Sequence, residues 1–201
     1  MALAEGGAQE RVKLDSDSLE ALARERAFKA KPELNPETEF QIYEFEIDGL
    51  WDEMGIQLIS AAYLVDGQQF NEALYIARDG SLSPFASTFG GFGFMSAVLS
   101  GGDVYYSYSW GSGIHRSCMG RIALDEKGKL QITETEEFLF TDLFLRSVDG
   151  GVRVETGGYD AFNSWQEGQP VGWLEYRKRR LVLVDDDGGE ISPEAFVETK
   201  K

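Results

Sequence analysis

From Phe40 onward the chain is broken by turn signals near every tenth residue: Asp66-Gly67, Asp79-Gly80, Gly101-Gly102, Lys127-Gly128, Asp149-Gly150 and Asp187-Gly188. That spacing leaves no room for long helices, and the segments between the turns are rich in β-branched and aromatic residues. They fall into three groups of four. YEFEID, IQLISAAYLV, FNEALYIA and SLSPFASTF form the first. FMSAVLS, DVYYSYSW, HRSCMGRIALDE and KLQITETEEF form the second, and LFLRSV, VRVETG, VGWLEY and RLVLV the third.

The pattern predicts a mainly β protein of about twelve antiparallel strands in a meander, because short turns join antiparallel neighbours. Closure removes exposed strand edges, so the favoured architecture is a closed or nearly closed β-barrel with one N-terminal helix. The alternative is three four-stranded units in a trefoil-like or propeller-like arrangement. Three units are fewer than the four or more blades of an ordinary propeller. In YEFEID, alternation sets Tyr43, Phe45 and Ile47 inward and Glu44, Glu46 and Asp48 outward.

Residues 1–14 are polar and read as a flexible tail. DSDSLEALARERAFKA follows, where Asp17 and Glu20 have the spacing of a capping box and Leu19, Leu22 and Ala23 share a face. This predicts a peripheral helix over about 17–30, ended before Pro32 and Pro36, on a single β domain spanning 15–201.

With 35 acidic and 19 basic residues, the net charge is -16. Such a field repels nucleic acids and anionic membranes and leaves a basic protein as the partner that charge favours. The single cysteine, Cys118, forms no internal disulfide, so the fold needs no oxidising compartment. No run of residues is apolar enough to span a membrane. The expectation is a soluble, cytoplasmic protein, although a signal peptide removed upstream would leave no trace.

SYSWGSGIHRSCMGRI holds the only histidine and the only cysteine. With Trp110 set opposite Ile114, the hairpin places Ser109 opposite His115, Ser107 opposite Ser117, Tyr105 opposite Met119 and Asp103 opposite Arg121. Residues three apart on a strand point to opposite faces, so His115 and Cys118 form no nucleophilic dyad. Asp103 lies six residues from Ser109, roughly 20 Å away, and cannot complete a Ser-His-Asp triad. Two Cys or His residues in the whole chain are too few for structural zinc.

Other motifs fail on spacing. FGGFGFMSAV has Ser96 where a dinucleotide fingerprint requires glycine, and its glycines mark a bend in a strand. A calcium loop counted from Asp185 reaches Phe196 at its twelfth position, where a bidentate glutamate belongs. YRKRRL reads as a charged turn, and NSWQEGQPVGW as a loop exposing Trp165. Neither metal nor cofactor is expected.

The remaining candidate is the hydroxyl-lined face of the hairpin: Tyr105, Ser107, Ser109, His115, Ser117 and Arg121. Turned into a barrel, it would give a pocket its convergent polar groups. The expected function is therefore a non-enzymatic binding protein holding a small apolar or aromatic ligand in a β scaffold. The alternative is an acidic interaction or inhibitor module for a basic partner, and the third reading is a carboxylate-based isomerase or hydrolase.

Overall fold

The computed structural model describes residues 12–65, 69–89, 94–111, 115–139, 142–159, 165–166 and 168–194. Helix α1 (Ser16–Ala30) precedes a first sheet of β1 (Phe40–Glu44), β2 (Gln57–Val65), β3 (Gln69–Arg78) and β4 (Ser81–Phe89), with the short helix α2 (Leu50–Met54) between β1 and β2. The second sheet runs β5 (Phe94–Ser100), β6 (Asp103–Trp110), β7 (Arg116–Leu124) and β8 (Leu130–Glu134), and β9 (Phe138–Leu139) adds a bridge to β7. After β10 (Leu143–Val148) and β11 (Gly151–Thr156), a two-stranded ribbon of β12 (Gly158–Tyr159) and β13 (Trp165–Gln166) interrupts the third sheet. That sheet resumes with β14 (Pro170–Arg177) and β15 (Arg180–Val184).

The three sequence groups are thus three antiparallel meander sheets, holding thirteen strands among the described residues. The expected barrel does not form. No pairing among the described residues joins β4 to β5, β8 to β10 or β15 to β1. The arrangement is compatible with the alternative of three four-stranded units.

The reason lies in the middle sheet, whose strands are buried on both faces. Val104, Tyr106 and Ile122 pack on Leu58 and Ile76 of the first sheet. On the other face, Met119, Val98 and Tyr105 pack on Leu143, Leu145, Val154 and Leu174 of the third. A barrel strand of this kind would have one face outside. The outer face of the first sheet (Ile59, Ala61, Tyr75, Ala77 and Leu82) is covered by Leu19 and Ala23 of α1. The layers therefore run α1, first sheet, second sheet, third sheet. At the open end of the stack, Arg153 lies 4.7 Å over the Trp173 ring and pairs with Asp186.

Several local expectations shift. Helix α1 starts one residue earlier, and its cap is Asp15 rather than Asp17: Asp15 Oδ1 accepts from the Ser18 N–H at 2.9 Å. Asp17 sits in the first turn, where a negative charge suits the helix dipole. The tail is anchored at its end, since the Leu14 N–H donates to Gln57 Oε1 at 2.8 Å and Gln57 Nε2 donates to the Leu14 carbonyl at 3.0 Å. The segment expected to bend between β4 and β5 (residues 90–93) lies outside the described residues. YRKRRL forms the expected turn, with Lys178 and Arg179 both at positive φ. Trp165, expected in a loop, belongs to the short ribbon.

Candidate functional site

The β6–β7 hairpin keeps the predicted faces but not the predicted pairing. Ser109 pairs with Ser117, Ser107 with Met119, Tyr105 with Arg121 and Tyr106 with Gly120. Each pair has slipped by two residues. An even slip preserves which side chains share a face, so alternation alone could not detect it. The observed register is favoured by Gly120: a Cβ there would stand 2.0 Å from Tyr106 Cζ. The Tyr106 ring crosses β7 at that bare position, and its hydroxyl donates to Glu134 Oε1 at 2.7 Å.

The hydroxyl-lined face meets the third sheet edge first. β10 is an edge strand, and its outward N–H groups must find acceptors. The Leu143 N–H donates to Ser117 Oγ at 3.1 Å, and the Leu145 N–H donates to Ser96 Oγ at 2.9 Å. Ser117 and Ser109 hydroxyls lie 2.7 Å apart, as do those of Ser96 and Ser107. Ser107, Ser109 and Ser117 are fully buried. Small hydroxyls let the two backbones approach while satisfying the edge of β10.

The other candidates on this face lie toward its ends. His115 is exposed, and its Nδ1 is 2.8 Å from Asp142 Oδ2, a partner that sequence spacing did not suggest. Asp142 Oδ1 is buried without a hydrogen-bond partner among the described residues. Arg121 donates to Asp103 Oδ2 at 2.8 Å and stacks 4.2 Å over Tyr176 of the third sheet. Tyr105 packs against the core between the sheets, and burial holds its hydroxyl pKa above the usual range.

Cys118 lies on the opposite face from His115. Its thiol donates to the Thr135 carbonyl at 3.5 Å, and burial pushes its pKa up to about 11, with Glu134 adding to the rise. Tyr106 and Tyr108 are likewise raised well above the ordinary tyrosine value, first by burial. A thiol in this setting is not an activated nucleophile.

A second locus was hidden in the sequence. YEFEID is not one continuous strand: β1 ends at Glu44, with Ile42 turned inward and Tyr43 exposed. The chain then curls into α2, which is bracketed by Gly49 and Gly55, both at positive φ. The curl leaves a cleft of about 320 Å³, bordered by Glu44, Glu46, Asp48 and Asp52 together with Phe45 and Trp51. Lys13 Nζ stands 2.8 Å from Glu44 Oε1. Buried Gln57 also donates to that oxygen, at 3.2 Å, while holding Leu14. Among the described residues no ion pair joins Glu46, Asp48 or Asp52 to a cation.

Alternating Glu and aromatic residues were a visible signal in YEFEIDGLWDE, but they also describe a strand with one wet face. The two glycines flanking LWDEM were the cue to a curl.

Among the described residues, no group of three or more His, Cys, Asp or Glu could hold a metal ion, and no helix is long and apolar enough to cross a membrane. A scan against protein-family models, a search of curated proteins and a search of solved structures find no match to this chain.

Proposed function

We propose that this protein is a non-enzymatic binding module whose acidic cleft receives basic side chains of a partner protein. The observation that carries the reading is that Glu44, Glu46, Asp48 and Asp52 line one cavity together with Phe45 and Trp51. Carboxylates attract a cation over a distance, and aromatic faces accept both the cation and its apolar stem. The net charge of -16 extends that attraction beyond the cleft and speeds encounter with a basic partner. A small apolar or aromatic ligand has less support, because the hydroxyl-lined face on which it rested is packed between two sheets.

The test is calorimetric titration with acetyl-Lys-Lys-Lys-amide at low ionic strength. Binding should weaken when salt is raised and be largely lost in the triple variant Glu46→Gln/Asp48→Asn/Asp52→Asn, with acetyl-Glu-Glu-Glu-amide inert throughout. Equal binding by the wild type and the triple variant would refute the reading.

A further inference from the structure

Sheets that do not close leave strand edges, and the edges of β1, β4, β10 and β15 are each guarded. β4 carries Pro84 and a register shift against β3. The edge of β10 is answered by serine hydroxyls. β15 is bridged by Glu190, and the Ile191 N–H donates to the Leu183 carbonyl at 2.8 Å. Helix α1 lies against β1, with Arg24 stacked over Phe40. Devices of this kind keep an edge from pairing with another chain. β8 (LQITE) has none of them among the described residues. It contains neither proline nor lysine, pairs with β7 without a register shift, and leaves Ile132 42% exposed.

The direction of the unpaired groups follows from the ladder. The Thr135 N–H donates to the Met119 carbonyl and the Asp125 N–H to the Lys129 carbonyl, so odd-numbered residues of this segment bond to β7. Leu130, Ile132 and Glu134 therefore turn their N–H and C=O groups outward. We infer that this edge pairs antiparallel with β8 of a second copy of the chain, about a two-fold axis at Ile132. In that register Ile132 exchanges both bonds with Ile132 of the second copy, and Leu130 does so with Glu134, so every outward group of the strand is used. The two Ile132 side chains meet on one face, and each covers the other. Charge selects both the occupant and its direction. Lys127 and Lys129 stand at the start of the segment, and Glu134, Glu136 and Glu137 at its end. Antiparallel pairing of two copies brings basic start against acidic end, whereas parallel pairing sets acid against acid. None of the residues lining the acidic cleft belongs to β8, so this surface is independent of the cleft reading.

The experiment is sedimentation equilibrium of the full chain from about 10 µM to about 1 mM, the range in which a small interface associates. Salt is held at about 0.15 M, where long-range repulsion between two acidic copies is screened. The apparent mass should climb toward twice the monomer's with concentration. Amide hydrogen exchange read by NMR supplies the register. The Leu130, Ile132 and Glu134 amides should slow by about tenfold from the dilute to the concentrated sample, while Gln131 and Thr133, already bonded to β7, change by less than about twofold. Ile132→Lys sets two ammonium groups against each other at the axis and should abolish the dimer. Tyr43→Lys makes the same kind of change at an exposed residue of β1 and should leave the dimer intact. The exchange readout needs no variant, so it decides the case should Ile132→Lys fail to fold. A chain that stays monomeric throughout, exchange at Ile132 that ignores concentration, or a dimer that survives Ile132→Lys or is equally weakened by Tyr43→Lys, would overturn the inference.

Discussion

Replacing Gly120 by alanine should be among the most damaging small changes on the second sheet. The new methyl carbon would lie 2.0 Å from Tyr106 Cζ and 2.3 Å from its hydroxyl oxygen, far inside contact distance. Tyr106 is fully buried, with Phe85 edge-on at 4.9 Å and Tyr108 stacked at 6.2 Å, so its ring has no free space to enter. Overpacking of this kind costs about 1–3 kcal/mol. Displacing the ring also breaks the bond from Tyr106 to the Glu134 carboxylate, worth about 1.5–3 kcal/mol. Together the expected loss is about 2.5–6 kcal/mol, a large part of a typical domain's stability.

The decisive form is a double-mutant cycle with Tyr106→Val, followed by urea unfolding and far-ultraviolet circular dichroism. Once the ring is gone, Gly120→Ala should cost less than about 1 kcal/mol, because glycine gives a strand little by itself. The same penalty in both backgrounds, or a penalty below about 1 kcal/mol in the wild type, would refute the pairing of Tyr106 with Gly120.

Ser117→Ala should destabilise by about 1–3 kcal/mol, because the Leu143 N–H would be left buried without its acceptor; equilibrium unfolding checks this. Cys118 should label slowly with a thiol reagent in the native protein and rapidly once unfolded. Its folded pKa of about 11 exceeds the ordinary value of 9.0, so the stability it contributes is fully present below pH 9. That contribution, of order 2–3 kcal/mol, should be lost as pH rises to about 11, and Cys118→Ala should remove that part of the alkaline slope.

The parts of this fold legible in the sequence are the local ones. Asp79-Gly80, Lys127-Gly128 and Asp149-Gly150 each mark a real hairpin turn, so the grouping of strands into three fours follows from short-range chemistry. Which residues share a face of β6 and β7 was legible too, because alternation survives any even slip. Register was not, since the residues linking Trp110 to Arg116 do not fix a loop length, and the Tyr106–Gly120 contact is visible only when the strands are paired. Closure was misread for a different reason. Apolar residues lie on both faces of the middle sheet, such as Val104 beside Tyr105, and each face has its own core, whereas alternation alone leaves open which face of the hairpin is buried.

The buried serines show the same ambiguity in polar form. A row of hydroxyls can line a pocket or receive an edge strand, and only the position of β10 distinguishes the two. The cleft depends on still more distant contacts, because Lys13, Glu44 and Gln57 are brought together by the first sheet and the residues just before α1.

The most direct test of the binding account is a two-dimensional amide and indole NMR titration of the wild-type protein with acetyl-Lys-Lys-Lys-amide. Saturable shifts should concentrate at residues 44–57, including the Trp51 indole, and should weaken as salt is raised. Shifts centred on the β6–β7 hairpin or scattered over acidic turns such as Asp185–Asp187, with the Trp51 indole unmoved, would contradict it.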